Sequence, residues 1–296
     1  MKIFVTGGTG FVGREVVLQL LAAGYKVRAL VRDPQRAKGI LPNVVELYHW
    51  DLTRPEGIRQ GLMDCQAVVH LVGIIVESGG VTFEELHVQG TRHMLRAAEE
   101  EGIRRFVYMS ALGSRPDARS RYHQTKYRAE ELVGQSSLDW TIFRPSVIFG
   151  PNDRFVNRLA RIIRRAPFVP VINTGNAKLQ PISVSDVAAC IVLSIGNPKS
   201  IGKVYELSGP QVLSYNRLYT VIMEAMHLQK PTIHLPTGLI KPAVLLLELI
   251  LSRPPLTRDQ LIMLGEDNVC DSSRAVSDFG LELKPFVEGI RDYLRP

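Results

Sequence analysis

The chain has 296 residues, of which 45% are hydrophobic and 22% charged, and its formal net charge is +7. These values are typical of a globular protein long enough for one elaborated domain or for two domains. Three scattered cysteines without a CxxC pair, and seven histidines without an HExxH pair, argue against a disulfide framework and against a metal site.

The first strand and helix form a candidate phosphate-binding unit. Residues 3–5 are an apolar run typical of a strand buried on both faces, and the spacing of residues 16–21 predicts a helix that stops near Gly24. Between them, Gly7 permits a tight turn, Gly10 lets a pyrophosphate approach the backbone, and Gly13 lets the helix pack closely on the strand. The helix N-terminus adds amide donors and a favourable dipole. We therefore predict a pyrophosphate site, and a glycine turn without a ligand is the alternative.

The end of the second predicted strand, residues 26–31, selects the nucleotide. An NAD-binding unit places an acid there, which accepts a hydrogen bond from the ribose 2′-hydroxyl. Here Val31 and Arg32 hold that place, and Asp33 follows slightly late. A 2′-phosphate would be favoured by four nearby cations, Arg28, Arg32, Arg36 and Lys38. We therefore predict that the cofactor is NADP(H). NAD(H) is the alternative, because Asp33 could accept from the ribose 2′-hydroxyl. A plainer interpretation is that these cations are only solvated on a loop and bind no cofactor.

Strands and helices alternate through the next part of the chain, which predicts an α/β protein with a parallel, doubly wound sheet. Asp51 follows the third strand, where it could accept from an adenine amino group or cap the next helix. Gly73 follows the fourth strand and would let a cofactor lie against the backbone. The segments are strands at residues 44–48, 67–72 and 105–109, and a helix at residues 82–100.

Tyr122 and Lys126 lie four residues apart and therefore share one face of a helix. A lysine ammonium there would lower the pKa of the tyrosine, make its phenol usable as an acid or base near neutral pH, and hold ribose hydroxyls. Surface Tyr–Lys pairs are common on helices. The position of this pair after the fifth strand of a nucleotide-binding unit favours a catalytic role.

Four motifs together resemble the extended or atypical short-chain dehydrogenases/reductases, which include epimerase/dehydratase-like proteins. They are TGGTGFVG from Thr6, YHQTK from Tyr122, WTIFRPSVIFGP from Trp140 and QPISVSDVA from Gln180. Residues 255–269 are similar to the branch of the nucleotide-binding accessory subunit of respiratory complex I and its bacterial relatives. The resemblance implies a Rossmann domain of residues 1–150 plus about 181–210, and a smaller, discontinuous C-terminal α/β domain of about 151–180 plus 211–296.

The resemblance also implies site residues. Tyr122, Lys126 and Ser110 would be catalytic, although the alignment could place Ala111 at the Ser/Thr position and leave Ser110 as a strand-end serine. His87 stands where the family has asparagine in its N-V-x-G-T motif. The predicted cofactor-binding residues are Gly7, Thr9, Gly10, Phe11, Val12, Gly13, Arg32, Arg36, Asp51, Leu52, Leu71, Gly73, Tyr122, Lys126, Pro145 and Val147.

Two helices beyond residue 150 suggest surface roles. Residues 155–163 predict a helix with a basic face, which is either solvated or a patch for anionic lipid or an acidic protein. Residues 238–251 are the most apolar helix candidate, and this helix is too short to cross a bilayer. We expect it to lie in the core or at a contact between copies, and an interfacial or partner-docking role is the alternative. No basic stretch carries interleaved aromatic residues, so nucleic acid is not expected. The basic face comprises Arg154, Arg158, Arg161 and Arg165.

We therefore predict an NADP(H)-dependent oxidoreductase in which Tyr122 is the acid/base for a small carbonyl or alcohol substrate held between the domains. A sugar-nucleotide-type epimerase or dehydratase is one alternative. Another is a non-catalytic, NADP(H)-bound accessory or assembly factor of a respiratory complex or quinone-related system, with an enzyme of quinone biosynthesis as a variant. Met1 leads directly into the first strand, so we expect no secretory leader and a cytoplasmic monomer or homodimer, with attachment to the inner face of a membrane as the alternative.

Overall fold

The larger part of the chain is a parallel sheet covered by helices on both faces. The computed structural model describes residues 1–251 and 254–294. Its strands are β1 (Lys2–Thr6), β2 (Lys26–Val31), β3 (Glu46–His49), β4 (Ala67–His70), β5 (Arg105–Met109), β6 (Asp139–Pro145), β7 (Ile148–Phe149), β8 (Val169–Ile172), β9 (Lys178–Leu179), β10 (Ile182–Ser183), β11 (Lys203–Leu207), β12 (Leu213–Ser214) and β13 (Thr232–Leu235).

Seven of these strands form one sheet in the order β11–β6–β5–β4–β1–β2–β3, and every neighbouring pair is parallel. Strand order reverses between β1 and β4, and the carboxyl ends of parallel strands at such a point form the crevice where open α/β sheets bind ligands. The predicted doubly wound α/β fold is confirmed.

Helices connect the strands and cover the sheet. A π-helix, Glu84–Gln89, precedes α4, and a short 3₁₀ helix, Pro198–Ser200, precedes β11. The α-helices are α1 (Phe11–Ala22), α2 (Pro34–Lys38), α3 (Ile58–Leu62), α4 (Gly90–Glu100), α5 (Arg121–Gln135), α6 (Val156–Arg165), α7 (Val184–Ile195), α8 (Tyr215–Ala225), α9 (Thr237–Ile250), α10 (Arg258–Met263), α11 (Ser273–Phe279) and α12 (Phe286–Arg291).

Two apolar layers hold these helices against the sheet, one on each face. Successive residues of β1 alternate between them: Ile3 and Val5 pack with α1, α7 and α11, whereas Phe4 packs with α3, α4 and α5. This alternation follows from the two-residue side-chain period of a strand. Because both faces are covered, β1 is apolar at consecutive positions and buried throughout its centre.

A third apolar cluster belongs to the smaller unit beyond β6. It joins α6, α8 and α12 to β8, which pairs in parallel with β13. The assignment of residues to two domains, with the boundaries given above, stays a prediction. Within residues 1–251 and 254–294, no helix has the length and apolar character that a membrane span requires.

Several predicted bounds shift. The third strand starts at Glu46 rather than at residue 44, because the Val45 amide donates to the Pro42 carbonyl (3.0 Å) in a turn. The single helix predicted for residues 82–100 is a π-helix followed by α4. The strand predicted for residues 67–72 ends at His70, and the helix predicted for residues 155–163 is α6, Val156–Arg165.

Candidate active site

The turn between β1 and α1 leaves backbone amides free at the sheet's carboxyl edge. Gly10 N donates to Gly7 O (2.9 Å), and α1 starts at Phe11. The first bond within the helix runs from Arg14 N to Gly10 O (3.0 Å), so the amides of residues 11–13 precede any acceptor in the helix. Amides in this position, together with the helix dipole, favour an anion.

Two glycines are required by close approach of the backbone. Gly7 has φ +73°, and a Cβ there would lie 3.0 Å from the carbonyl carbon of Leu71. A Cβ on Gly13 would lie 2.1 Å from Gly7 O, a distance that real side chains do not reach. Any larger residue would therefore fill or distort this cradle, which fits the pyrophosphate of a dinucleotide.

The side chains around the cradle mostly serve packing. Val12 lies in the core and the Phe11 ring lies against Gly150, so these two residues can offer a ligand only their amides. Thr9 is partly exposed at the turn. Leu71 is buried after β4, and its amide donates to Thr6 O (3.2 Å).

The end of β2 presents cations to solvent. Arg32 and Arg36 are exposed, and in the described chain no carboxylate pairs with either. Asp33 is occupied, because its side chain caps α2 by accepting from Arg36 N (3.0 Å). Arg28 does not join the patch: its guanidinium is buried, pairs with Glu46 (2.6 Å) and donates to backbone carbonyls under the sheet.

Asp51 and Leu52 follow β3. Asp51 is partly buried, and its Oδ1 accepts from the amide and the hydroxyl of Thr53 (3.0 and 2.9 Å) in a turn closed by its own side chain. Leu52 is buried, and its carbonyl accepts from His93 Nδ1 (3.1 Å). The Asp51 Oδ2 atom keeps its capacity to accept, as contact with an adenine amino group would require.

Tyr122 and Lys126 lie on α5, but the lysine is directed elsewhere than predicted. Lys126 is buried, its Nζ donates to Met109 O (2.6 Å), and it lies 4.4 Å from the ring centre of Tyr108. Burial lowers the pKa of Lys126 to about 7 and raises the pKa of Tyr122 to about 12. The prediction that Lys126 lowers the tyrosine pKa is therefore wrong for this structure, because the ammonium is turned towards a carbonyl.

Ser110 follows the last residue of β5 and is buried. Its amide donates to Phe143 O (2.7 Å), and its hydroxyl lies 3.2 Å from that of Ser114. Among the described side chains, no hydrogen bond joins Ser110 to Tyr122. Ala111, the other candidate position, is also buried. The catalytic role of Ser110 stays a prediction.

His87 lies at the centre of the π-helix, beside Tyr122, and its ring forms hydrogen bonds with the segment after β4 and with α5. Its Nε2 accepts from Ile74 N (3.1 Å), so the ring proton is on Nδ1, which donates to Thr125 Oγ1 (2.9 Å). The imidazole is fully buried, which lowers its pKa to about 3 and keeps it neutral. It stacks on Phe83 and meets the Tyr122 ring edge-on, with centroids 5.4 and 5.6 Å apart. Short π-helices of this kind are frequent at functional sites.

Gly73 connects this network to the cradle. A Cβ built on Gly73 would lie 3.5 Å from His87 Nε2 and 3.9 Å from Lys126 Nζ. Gly7 in turn abuts Leu71, two residues earlier in the same segment. The cradle, the exposed backbone of Gly73 and the Lys126 ammonium therefore follow one another along the carboxyl edge of the sheet.

Asp259, which the sequence did not single out, caps the helix that carries Tyr122. Its two carboxylate oxygens accept from Arg121 N (2.7 Å) and Tyr122 N (3.0 Å). Thr257 and Gln260 form a capping box at the start of α10, and that local pattern was readable as a helix start. The contact with α5 was not readable, because the partners are 137 residues apart.

Asn268, also missed, ties the C-terminal part of the chain to the segment after β6. Its Oδ1 accepts from Ser146 Oγ (2.6 Å) and from Val147 N (3.2 Å). Pro145 is buried, and its carbonyl accepts from Leu112 N (2.9 Å). The predicted residues Pro145 and Val147 thus lie where both parts of the chain meet. In the described ranges, no three His, Cys, Asp or Glu side chains are grouped to hold a metal ion.

The chain is similar to known nucleotide-binding proteins. Residues 7–198 match a family described as NAD(P)H-binding. The alpha subcomplex subunit 9 of mitochondrial NADH dehydrogenase (ubiquinone) 1 from Arabidopsis thaliana is 30% identical over 95% of this chain and 72% of its own length. A putative dihydroflavonol 4-reductase from Synechocystis sp. is 29% identical over 98% of this chain and 92% of its own. The UDP-glucose 4-epimerase from Thermus thermophilus, solved in complex with NAD, shares the fold with a TM-score of 0.75, at 20% identity and 99% coverage of both chains.

Proposed function

Because this chain belongs to the NAD(P)H-binding family, we propose that it is an NADP(H)-dependent oxidoreductase of the short-chain dehydrogenase/reductase type. One observation carries the proposal. Tyr122 and the buried Lys126 share a face of α5, and Lys126 Nζ lies against Gly73 at the edge that holds the glycine cradle. A site that only stored a nucleotide would need neither a phenol nor a desolvated lysine at this place.

The residues around the cradle fit a dinucleotide phosphate. The free amides of residues 11–13 would receive the pyrophosphate, and Asp51 would receive the adenine amino group. Arg32 and Arg36, exposed and unpaired with any described carboxylate, support NADP(H) over NAD(H). When bound, the nicotinamide supplies or accepts the hydride.

Tyr122 would handle the proton. With a pKa of about 12, its phenol is protonated at neutral pH and can donate from Oη to a substrate carbonyl oxygen. The phenol O–H bond breaks and the alcohol O–H bond forms, and solvent then returns a proton to the phenolate. This protonation state favours carbonyl reduction over alcohol oxidation at neutral pH.

A second candidate is a non-catalytic, NADP(H)-bound accessory factor. It is supported by the likeness to a subunit of NADH dehydrogenase and by His87, which stands at the family's asparagine position and is neutral and fully hydrogen-bonded. Under this proposal the nucleotide would stabilise the fold, and a respiratory complex would be the partner. A small carbonyl or alcohol substrate, a monomeric or homodimeric state, and a cytoplasmic or membrane-peripheral location stay predictions.

Nucleotide titration and a turnover assay test the proposal. We expect purified protein to bind NADPH more tightly than NADH, and Arg32→Asp to remove that preference, whereas Lys26→Asp, at the opposite end of β2, keeps it. With a panel of carbonyl compounds, Tyr122→Phe should abolish NADPH oxidation, and Tyr127→Phe on the same helix should not. If NADPH binds and no carbonyl compound oxidises it, the accessory role replaces the oxidoreductase.

A further inference from the structure

The outer face of α9 is apolar and exposed. Val244 anchors the helix and is only 3% exposed, whereas Leu239, Leu246 and Ile250 are 73, 58 and 67% exposed. Five of the exposed apolar positions lie at offsets of zero, three, four, seven and eleven residues from Leu239, which places them on one helix face. We call them the apolar stripe: Leu239, Pro242, Ala243, Leu246 and Ile250.

Among the described residues of α9, no carboxylate is left unpaired. Lys241 is exposed on the same helix. The helix's one carboxylate, Glu248, accepts from both the amide and the guanidinium of Arg258 (2.8 and 2.7 Å). Its charge is therefore neutralised within the chain, and the helix presents apolar surface with a cation.

A basic stripe runs along α6 and the bend that precedes it. Arg158 donates to the carbonyl of Pro255, just beyond α9, and the pairing of β8 with β13 joins the strand after α6 to the strand before α9. The helix contains no acidic residue. The basic stripe, spaced by four, seven and eleven residues and exposed throughout, is Arg154, Arg158, Arg161 and Arg165.

We propose that the apolar and basic stripes dock this protein on an anionic phospholipid surface. Along α9 the apolar stripe covers eleven residue steps, roughly 16 Å at the rise of an α-helix, and on α6 the basic stripe covers seven steps from Arg158 to Arg165, roughly 10 Å. Such a surface offers negative headgroups above an apolar layer, which matches one stripe of each kind. With 14 residues, α9 is shorter than the roughly 20 needed to cross a bilayer, so it would lie in the interface.

Charge argues against a second copy of the chain on this face. The chain carries a formal charge of +7, and two copies facing each other would bring like-charged basic stripes together. The proposal is independent of the proposed chemistry, because the stripes lie outside the nucleotide cradle and the Tyr122 helix.

Vesicle sedimentation tests the proposal with the full chain. Wild type should sediment with phosphatidylglycerol/phosphatidylcholine vesicles at low salt, and should release at high salt or with pure phosphatidylcholine. Arg161→Gln/Arg165→Gln should weaken binding by about fivefold for each cation removed. The control Lys26→Gln/Lys199→Gln removes the same charge from exposed positions on the nucleotide-binding part and should change binding little.

The apolar stripe needs its own test. Leu239→Glu/Leu246→Glu should weaken sedimentation by at least about tenfold, since it removes apolar area that enters the interface. Leu193→Glu, at a position 46% exposed on α7, is the matched control and should retain binding. A far-UV circular dichroism spectrum and a thermal melt like those of wild type would show that each variant is folded.

Several outcomes would overturn the proposal. Wild type that ignores anionic vesicles at low salt would do so, as would stripe variants that bind like their controls, which would indicate unspecific attraction by net charge. A third such outcome would come from light scattering. If wild type is a dimer in solution and Leu239→Glu/Leu246→Glu makes it a monomer, the apolar stripe is a contact between copies.

Discussion

His87→Asn should change how the stability of the protein depends on pH. The substitution restores the asparagine of the resembling family and removes a fully buried imidazole with two hydrogen bonds, from Ile74 N and to Thr125 Oγ1. At pH 7 we expect a loss of about 2–3 kcal/mol in the free energy of unfolding, from lost packing and one unfilled hydrogen bond.

The pH dependence follows from the pKa of His87, which burial lowers to about 3 in the folded chain from an ordinary value of 6.5. Between these values the unfolded chain binds a proton that the folded chain does not, so stability falls as the pH falls below about 6.5. At pH 4.5, two pH units below 6.5, the uncharged His87 alone lowers the free energy of unfolding of wild type by about 2.7 kcal/mol. The asparagine variant escapes this cost, so the two proteins should be about equally stable there.

Urea unfolding at pH 7, 6, 5 and 4.5, with linear extrapolation to water, measures both proteins on one scale. The carboxylates and the buried His70 contribute equally to wild type and variant, so the difference between them isolates His87. A gap of the same size at pH 7 and pH 4.5 would refute the reasoning, since it would mean that His87 is charged or solvated in the folded chain.

Three further substitutions probe the site. Gly13→Ala places a Cβ against Gly7 O, so it should abolish NADPH binding and lower the free energy of unfolding by several kcal/mol. The control is Gly134→Ala, where the added Cβ has room. In thermal melts this control should be neutral or stabilising by up to about 1 kcal/mol. Lys126→Met should raise the free energy of unfolding of the nucleotide-free protein by a few kcal/mol at or below pH 7, because it removes a buried ammonium. Between pH 7 and 10.5 the unfolded chain keeps the lysine proton that the folded chain has lost, so this gain should vanish as the pH rises towards 10.5. Urea unfolding with no gain at pH 6 would contradict this. Asp259→Ala removes the acceptor for two amides of α5 and should cost about 1–2 kcal/mol and speed amide exchange at the start of that helix, while unchanged exchange would show that the cap is dispensable.

Much of the sheet was predictable because its signals are local. The bounds of β2 and β5 agree with the apolar runs that predicted them. β3 was misplaced because Val44 looks like a strand residue but is 74% exposed, and its neighbour Val45 closes a turn with Pro42. The glycine cradle was predictable for the same reason as the strands, since the spacing of Gly7, Gly10 and Gly13 determines it within one turn and one helix start.

The surroundings of Tyr122 were less predictable. Helical spacing placed Lys126 on its face, but the direction of its pKa depends on burial and on the Met109 carbonyl that holds the ammonium, which spacing does not reveal. The π-helix was not predicted, and the two hydrogen-bond partners of the His87 ring at its centre lie on other elements of the fold. The Asp259 cap joins residues far apart in sequence, so one chain alone offers no local signal for it.

Deuteride transfer tests the central proposal most directly. Protein supplied with NADPH deuterated at the transferring C4 position is incubated with a panel of carbonyl compounds, and the alcohols are analysed by mass spectrometry. We predict deuterium on the carbinol carbon of at least one product with wild type, and none with Tyr122→Phe, which should still bind NADPH. Unlabelled products throughout, from wild-type protein with bound NADPH, would contradict the oxidoreductase and leave a nucleotide-bound accessory protein.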